Sequence, residues 1–143
     1  MQKILCVCLG NTCRSPMMAA LLQKELGVDF QVESGGIQEE VAGRLANEHS
    51  ILCMQERGID ISQHVSRWVG DIDLTQFSHI ICVDKSVADK VHQFLLGAKT
   101  KVVIANGERN GVPNPFKQGL TAYRECLCLL DEILPSLAQR IIS

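Results

Sequence analysis

Cys8 and Arg14 belong to a short segment whose residue types could do chemistry on phosphate; positions 8–16 read Cys-Leu-Gly-Asn-Thr-Cys-Arg-Ser-Pro. The apolar run at positions 4–7 precedes this segment and a helical pattern follows it, so we expect a loop between a strand and a helix. Backbone N–H groups in such a loop surround oxyanions, and the adjacent helix N-terminus favours thiolate over thiol. A nucleophilic sulfur, an anion cradle and a bidentate guanidinium together predict attack on a phosphate ester.

The other residues of the segment fit this loop. Gly10 and Asn11 tolerate the positive φ that a tight anion-binding loop requires. Ser15 fits the helix N-cap, and Pro16 fits the first helical position, where its missing N–H costs nothing. The residues expected to surround the phosphate are Leu9, Gly10, Asn11, Thr12, Cys13 and Arg14. The alternative is purely structural: a cysteine in a strand core and an arginine at a solvated helix start.

The segment resembles the signature of the low-molecular-weight protein-tyrosine phosphatase family. Further strings that follow the family's order are Glu33-Ser34-Gly35-Gly36, Gly58-Ile59-Asp60, His64-Val65-Ser66-Arg67, Ile80-Ile81-Cys82-Val83-Asp84 and Val112-Pro113-Asn114-Pro115-Phe116. The similarity covers nearly the full chain, which implies one phosphatase-like domain over residues 1–143. It also implies hydrolysis of phosphotyrosine proteins or small aryl phosphates, with inorganic phosphate and other oxyanions as inhibitors.

The resemblance implies a role for each reacting residue. Cys8 would attack phosphorus to form a phosphocysteine that water hydrolyses, and Arg14 would hold two phosphate oxygens. Ser15 would stabilise the sulfur as it leaves, although a plain helix cap also explains this serine. A supporting hydrogen-bond network that holds the loop open would consist of Asn11, Ser34 and His64. For His64 the alternative is an ordinary buried histidine with satisfied hydrogen bonds.

At one position the chain departs from the family in a way that bears on catalysis. The family carries an aspartic acid before the proline of the loop after the fourth strand, and this acid protonates the leaving group; here the residue is Asn114. An amide has no titratable proton, and loss of a general acid typically costs about 10²–10⁴-fold in rate. Asn114 is alternatively just a turn residue before Pro115. Glu108 is the nearest candidate for a replacement acid, and the landmarks place Asp71 and Asp73 farther away.

The expected rim of the pocket also differs from that of the family. Where the family has an aromatic residue shortly before the position of Gly43, this chain has two glutamates, and we expect Glu40 at the rim. Carboxylates there would repel acidic phosphopeptides. In place of two tyrosines the chain has Phe116 and Lys117. Phe116 either forms one aromatic wall of the pocket or packs into the core.

Cys13 is a second thiol on the same loop as Cys8. If Cys8 is oxidised to a sulfenic acid, Cys13 could convert it into a reversible disulfide, a response for which the family is known. The alternative is that Cys13 only packs beneath the loop. We expect it to be the redox partner of Cys8.

Composition argues against several other classes of function. The chain has 143 residues, a net charge of −2 and scattered basic residues, so nucleic acid is not an expected partner. The first apolar run is too short for a signal peptide, and no stretch approaches the roughly 20 apolar residues of a membrane span. Seven cysteines therefore predict free thiols in a reducing cytoplasm. We expect no metal ion or cofactor, since Cys53, Cys126 and Cys128 fit ordinary helix positions.

The order of the elements predicts an α/β fold in which a doubly wound, four-stranded parallel sheet carries helices on both faces. Strands are expected at 3–8, 30–34, 78–83 and 101–105, and helices at 15–26, 47–57, 86–96 and 120–141. Ser86 would cap the third helix, and Pro135 would kink the last one. Ligands of such sheets bind beyond the carboxyl ends of the strands, which is where the Cys8 loop lies.

The sequence leaves three functions open. The first is a phosphatase, slowed by the missing acid, that hydrolyses aryl phosphates including phosphotyrosine. The second is a catalytically weak module that binds phosphate or phosphotyrosine. The third is an arsenate reductase, which shares the fold and the first cysteine but needs a cysteine pair after the third strand. Here Cys82 is present, and the second position of that pair is Asp89.

Overall fold

The computed structural model describes residues 1–95 and 97–143, and its central element is a parallel sheet. Within these ranges the strands are β1 (Gln2–Cys8), β2 (Phe30–Gly36), β3 (His79–Cys82) and β4 (Lys101–Ile104). The α-helices of the same ranges are α1 (Arg14–Leu26), α2 (Glu48–Gln55), α3 (Lys85–His92) and α4 (Leu120–Ile142). Short 3-10 turns occupy Glu39–Val41, Val69–Asp71, Leu74–Gln76 and Gly107–Arg109.

The strands follow the order β2-β1-β3-β4, and each runs parallel to its neighbours. β1 lies between two partners: Cys6 pairs with Ser34 of β2 and with Ile81 of β3. The last five residues of β1 are buried, because both faces of a central parallel strand are covered, and this explains its continuous apolar run. The doubly wound four-stranded parallel sheet predicted from the sequence is confirmed.

The loop after β1 lies at the point where the strand order of the sheet reverses direction. From β1 the chain crosses to β2 on one side, and it later returns to β3 on the other side. The connection from β1 to β2 contains α1 and runs towards one edge of the sheet, whereas the connection from β3 to β4 contains α3 and runs towards the other edge. Because both crossovers are expected to be right-handed, α1 and α3 lie on opposite faces. In agreement, α1 packs against α2 and α4, whereas α3 packs on β3 and β4. Residues 9–13 therefore lie at the topological switch point, where α/β sheets bind their ligands.

The core fills the space between the sheet and the two longest helices. Its most deeply buried side chains from α1 and α4 include Met17, Met18, Leu22, Leu127 and Leu130. Truncating a leucine of this kind to alanine typically costs about 2–5 kcal/mol. Trp68 is partly buried and meets the edge of Phe94 with ring centroids 5.9 Å apart. No helix in the described part of the chain is long and apolar enough to cross a bilayer.

Two helix starts differ from the prediction. α1 begins at Arg14 with Cys13 at the N-cap, so Ser15 lies inside the first turn and does not cap the helix. Its hydroxyl is used instead within the loop, where the Asn11 side chain donates to it over 2.8 Å. α3 begins at Lys85, because the carboxylate of Asp84 accepts from the N–H of Val87 at 2.9 Å. Ser86, which the sequence suggested as this cap, is therefore already helical.

The ends of two helices also differ. α3 ends at His92 and does not continue to Gly97. Leu96, included in the predicted helix, lies outside the described residues. α4 runs without a break through Pro135 to Ile142. Its packing against α1 and α2 holds the helical path that proline alone would interrupt.

Candidate active site

The Cys8 sulfur lies at the carboxyl end of β1 and receives two potential donors from the following loop. The Ser15 hydroxyl lies 2.9 Å from the sulfur, and the N–H of Asn11 donates to it at 3.2 Å. This second bond requires a sharp turn, and Asn11 adopts φ +57, as predicted for a tight loop. Gly10, also expected at positive φ, does not adopt it. Cys8 is only 2% exposed, so a reactant reaches it only through the cavity that the loop lines.

The loop presents backbone donors that the fold leaves free. Within the described part of the chain, four loop N–H groups have no hydrogen-bond acceptor; they belong to Leu9, Gly10, Thr12 and Cys13. Buried or half-buried N–H groups are normally paired, since an unpaired one costs a lost hydrogen bond. A set of free donors beside a nucleophile is the arrangement that binds oxyanions. This region is the strongest candidate for an active site.

Arg14 is held at the first turn of α1 by groups from distant segments. Its side chain is nearly buried, at 4% exposure for the residue. Nη1 donates to Oδ2 of Asp84 at 3.2 Å and to the carbonyl of Val112 at 2.9 Å. These bonds use one edge of the guanidinium and leave its other nitrogens for a ligand in the cavity.

Asp84 is a site residue that our sequence reasoning missed. It lies two residues after the end of β3, at the same carboxyl edge of the sheet as the Cys8 loop. Burial acts to raise its pKa, but hydrogen bonds from Val87 and Ser86 and the nearby Arg14 guanidinium outweigh burial and lower the pKa below its ordinary value. The carboxylate is therefore the stable form. A polar residue within two positions of the end of a central parallel strand was the signal that could have identified it.

Asn11 connects the loop to the surrounding structure through both ends of its side chain. Oδ1 accepts from the N–H of Arg67 at 2.9 Å, and this bond fixes the orientation of the amide. Nδ2 then donates to the hydroxyls of Ser15 at 2.8 Å and Ser34 at 2.9 Å. Because its oxygen already accepts from Asn11, the Ser15 hydroxyl can direct its hydrogen towards Cys8.

His64 contacts the same loop from behind. Its Nε2 lies 2.7 Å from the carbonyl oxygen of Asn11, and because a carbonyl only accepts, Nε2 carries the hydrogen. Burial lowers the pKa of His64, so the neutral ring is favoured. The structure thus brings together all three members of the expected network, Asn11, Ser34 and His64.

Gly36 explains how the loop can lie so close to the end of β2. A Cβ atom at this position would lie 3.0 Å from the backbone N of Asn11 and 3.0 Å from the backbone C of Gly10. Neither backbone atom can move without displacing the loop. Any other residue at position 36 would require the loop to shift by a few tenths of an ångström, so glycine permits the observed approach.

A cavity of about 430 Å³ opens above the loop. Its wall consists of Cys8, Leu9, Gly10, Thr12, Cys13, Arg14, Gln38, Val41, Arg44, Leu45, Asn47, Asn114 and Phe116. Of the described residues that form this wall, none carries a carboxylate. Glu40, expected at the rim, is exposed on the 3-10 turn outside the wall, while Gln38 and Val41 on either side of it face the cavity. Side chains three residues apart share one face of a 3-10 turn, so Gln38 and Val41 line the cavity while the residues between them do not.

Asn114 and Phe116 both reach the cavity. Oδ1 of Asn114 accepts from the N–H of Phe116 at 3.2 Å, which is the turn that an asparagine before a proline favours. Phe116 is 49% exposed, so it forms part of the wall and is not a core residue. The candidate replacement acid Glu108 lines a different cavity with Ile104 and Arg140.

The other carboxylates considered as acids are also outside the cavity wall. Asp71 lies in the second 3-10 turn, and Asp73 caps the third by accepting from the N–H of Thr75 at 3.1 Å. Neither belongs to the residues that surround Cys8. Sequence reasoning missed Arg44 and Asn47, which do belong to that wall. The N–H of Asn47 donates to the carbonyl of Thr12 at 2.8 Å and thereby attaches the wall to the loop.

Cys13 lines the same cavity as Cys8, and its sulfur lies 3.2 Å from the hydroxyl of Tyr123. Burial raises the pKa of Cys13, although the hydrogen bond from Tyr123 acts in the opposite direction. Tyr123 is itself buried and stacks on His49 with ring centroids 5.2 Å apart. All seven cysteines lie in the described part of the chain and carry free thiols.

Comparison with known proteins supports a single family. A family model described as low molecular weight phosphotyrosine protein phosphatase matches residues 3–143. A probable low molecular weight protein-tyrosine-phosphatase EpsP from Ralstonia nicotianae is 33% identical over 141 residues, covering 96% of this chain and 94% of the relative. A protein-arginine-phosphatase from Geobacillus stearothermophilus is 28% identical over 143 residues, covering 97% and 95% of the two chains.

Solved structures agree with these relatives. Wzb from Vibrio vulnificus, in complex with benzylphosphonate, superposes with a TM-score of 0.86 at 28% identity and covers 97% of this chain and 98% of its own. The YwlE arginine phosphatase from Geobacillus stearothermophilus superposes with a TM-score of 0.87 at 28% identity, and the superposition covers 99% of this chain and 93% of that one. Since the family match spans nearly the whole chain and includes the Cys8 loop, the protein belongs to the low molecular weight phosphotyrosine protein phosphatase family.

Proposed function

We propose that the protein hydrolyses phosphate monoesters of phenols, including phosphotyrosine, through a phosphocysteine at Cys8. The observation that carries this proposal is the position of the Cys8 sulfur, within 3.2 Å of the Asn11 N–H and beside free loop donors. Hydrogen bonds of this kind stabilise negative charge on sulfur and on a phosphate dianion alike. Family membership supports the same reaction.

In the first step the Cys8 sulfur attacks phosphorus, and the bond from phosphorus to the phenol oxygen breaks. Arg14 and the loop N–H groups hold the three equatorial oxygens, and the fork of the guanidinium suits two of them. In the second step water attacks the phosphocysteine and releases inorganic phosphate. The Ser15 hydroxyl, 2.9 Å from the sulfur, donates to the departing thiolate.

Asn114 makes the first step depend on the leaving group. No carboxylate in the described cavity wall can protonate the departing oxygen, so the phenol leaves as an anion that later takes a proton from water. Loss of a general acid typically costs about 10²–10⁴-fold, and the penalty grows with the pKa of the leaving phenol. We therefore expect slow turnover of phosphotyrosine and faster turnover of activated aryl esters.

The missing acid also supports a second candidate, a phosphotyrosine-binding module with little turnover. In that case the cradle and Arg14 would capture the phosphoryl group without releasing the phenol. The arsenate reductase hypothesis gains no support. Burial raises the pKa of Cys82 to about 12, and Asp89 forms an exposed ion pair with Lys85 at 2.9 Å. Cys82 and Asp89 therefore cannot form the redox-active thiol pair that an arsenate reductase needs.

Steady-state hydrolysis of para-nitrophenyl phosphate and of a phosphotyrosine peptide tests the proposal. We expect turnover of both, faster for the nitrophenyl ester, with inhibition by vanadate and inorganic phosphate. The Cys8→Ser variant should lose turnover but still bind the phosphotyrosine peptide. Tight peptide binding with no turnover of either ester by the unmodified protein would select the binding module. If the protein neither binds the peptide nor hydrolyses either ester, both candidates are excluded.

We also propose that the protein works in the reducing cytoplasm. The seven free thiols support this compartment, because disulfides form in oxidising ones. Cys6, Cys82 and Cys126 are buried, and burial raises the pKa of each, so these thiols resist oxidation. Of the other thiols, Cys8 and Cys13 line the candidate site, and Cys128 is exposed.

A further inference from the structure

The charges around the cavity differ from those that the sequence suggested. The described wall contains two cations, Arg14 and Arg44, and no carboxylate. Arg14 is paired with Asp84. The Arg44 guanidinium makes neither an ion pair nor a hydrogen bond with any described residue. Glu40 is exposed and does not belong to the wall, so the charged side chains of the described wall are cationic and not anionic.

We propose that Arg44 selects phosphotyrosine that is flanked by acidic residues. This inference rests on the proposed phosphotyrosine hydrolysis and adds a specificity-determining residue to it. The phosphoryl group lies on the Cys8 loop, and the segment flanking the phosphotyrosine passes the mouth of the cavity. An aspartate or glutamate in that segment then meets Arg44, whereas a lysine or arginine is repelled.

The backbone around Arg44 is fixed, which makes its position at the mouth reproducible. The N–H of Arg44 donates to the hydroxyl of Ser66 at 2.9 Å, and its carbonyl accepts from the N–H of Ser66 at 2.7 Å. The N–H of Gly43 donates to the carbonyl of Ser66 at 2.8 Å. Ser66 is buried and also bonds to the carbonyl of Val41 at 2.6 Å. Only the exposed side chain of Arg44 must lose freedom on binding.

The walls beside Arg44 suit an aromatic ring. Leu45, at 62% exposure, and Phe116 lie in the same cavity wall, with Val41 between the loop and the mouth. Exposed apolar side chains that surround a polar centre mark a binding surface. The ring of phosphotyrosine would bury these groups, while its phosphate reaches the loop donors below.

The same charges disfavour phosphoarginine, although a curated relative is named as a protein-arginine-phosphatase. The guanidinium of phosphoarginine is cationic and needs an acceptor or a carboxylate beside it. In this cavity it would instead meet Arg44, with no described carboxylate in the wall to offset the repulsion. Arg44 therefore favours phosphotyrosine over phosphoarginine by charge, in addition to its preference for acidic residues beside the phosphotyrosine.

Three phosphotyrosine peptides that differ only in having Asp, Asn or Lys on both sides of the phosphotyrosine test this inference. We expect kcat/KM for the Asp peptide to exceed that for the Lys peptide about three- to tenfold at low salt, the range of an exposed ion pair and its loss. The ratio should shrink as added salt screens the charges. Arg44→Gln should bring it close to one. Arg109→Gln removes the same charge outside the cavity wall and should leave the ratio unchanged.

The outcomes separate this inference from the proposed function. Turnover of all three peptides at equal rates, or an unchanged ratio in Arg44→Gln, overturns the role of Arg44 and leaves phosphotyrosine hydrolysis intact. If no peptide is hydrolysed, fluorescence anisotropy with the same peptides and the Cys8→Ser variant, with and without Arg44→Gln, measures the charge preference directly. Faster turnover of a phosphoarginine peptide than of the Asp-flanked peptide also contradicts the inference.

Discussion

The guanidinium of Arg14 and the carboxylate of Asp84 form an ion pair, with Nη1 3.2 Å from Oδ2, although 70 residues separate them in the sequence. Asp84 also caps α3 by accepting from the N–H of Val87. One carboxylate therefore ties Arg14, the arginine of the candidate site, to the start of a helix on the other face of the sheet. The arginine is oriented before any ligand arrives, so little side-chain freedom is lost on binding.

Asp84→Asn removes this charge while keeping a residue type that caps helices well. We expect about a tenfold fall in kcat/KM, equivalent to about 1.4 kcal/mol, with weaker inhibition by phosphate. Thermal unfolding should change little because the cap remains. Asp89→Asn, which removes a charge from the exposed Lys85 pair of the same helix, is the matched control. Equal effects of the two variants would show that Asp84 acts only through general charge.

Asn114→Asp places a carboxyl group in the cavity wall, where the proposed reaction lacks a general acid. We expect kcat for phosphotyrosine to rise by up to about 10²–10⁴-fold, the usual contribution of a general acid. The gain for para-nitrophenyl phosphate should be much smaller, because its phenolate leaves without help. A series of aryl phosphates measures this as a shallower dependence of log kcat on leaving-group pKa. Equal gains for all esters would assign the effect to loop structure instead.

Gly36→Ala tests how closely the loop must approach β2. The added Cβ would lie 3.0 Å from backbone atoms of Asn11 and Gly10, so the loop must shift. We expect at least a tenfold loss of kcat/KM, since misplacing reacting groups by a fraction of an ångström is costly. Gly35→Ala is the control, because its Cβ would meet the side-chain end of Ile72 at 3.0 Å, which can move. Full activity of Gly36→Ala would refute a fixed loop.

Cys13 provides a test of redox behaviour. Hydrogen peroxide would oxidise the Cys8 thiolate to a sulfenic acid with release of hydroxide, and the Cys13 thiol would then form the disulfide with loss of water. We expect peroxide inactivation to be reversed by dithiothreitol in the natural protein. Cys13→Ala should become irreversibly inactive on prolonged exposure. Cys128→Ser, which changes an exposed thiol, should behave like the natural protein. Full recovery of Cys13→Ala would remove Cys13 from the redox response.

His64 makes the stability of the loop depend on pH. Burial lowers the pKa of His64 in the folded protein, whereas the pKa of a histidine in an unfolded chain is about 6.5. Between these two pKa values the unfolded chain binds more protons than the folded protein. The free energy of unfolding therefore increases as pH rises through this window and decreases as pH falls through it. We expect Tm to fall less on acidification for His64→Gln than for the natural protein. His92→Gln, at an exposed position of α3, should retain the natural dependence.

Local sequence determined the elements and the reacting loop. Apolar strands in alternation with helical patterns specified the parallel sheet, because strands buried on both faces are apolar throughout, whereas amphipathic helices repeat every ~3.6 residues. The segment at positions 8–16 specified the loop because its glycine, asparagine, cysteine and arginine are close in the chain. The left-handed Asn11 follows from the same local pattern.

Only the tertiary structure decided how distant residues complete the site. Asp84 beside Arg14, Ser66 beneath Arg44 and Arg67 on Asn11 join segments that are far apart in the chain. The sign of the charge in the cavity wall was decided in the same way, because Arg44 belongs to the wall and Glu40 does not. A local pattern gives the residues of a turn but not the side to which each one points, since packing against other segments selects that side.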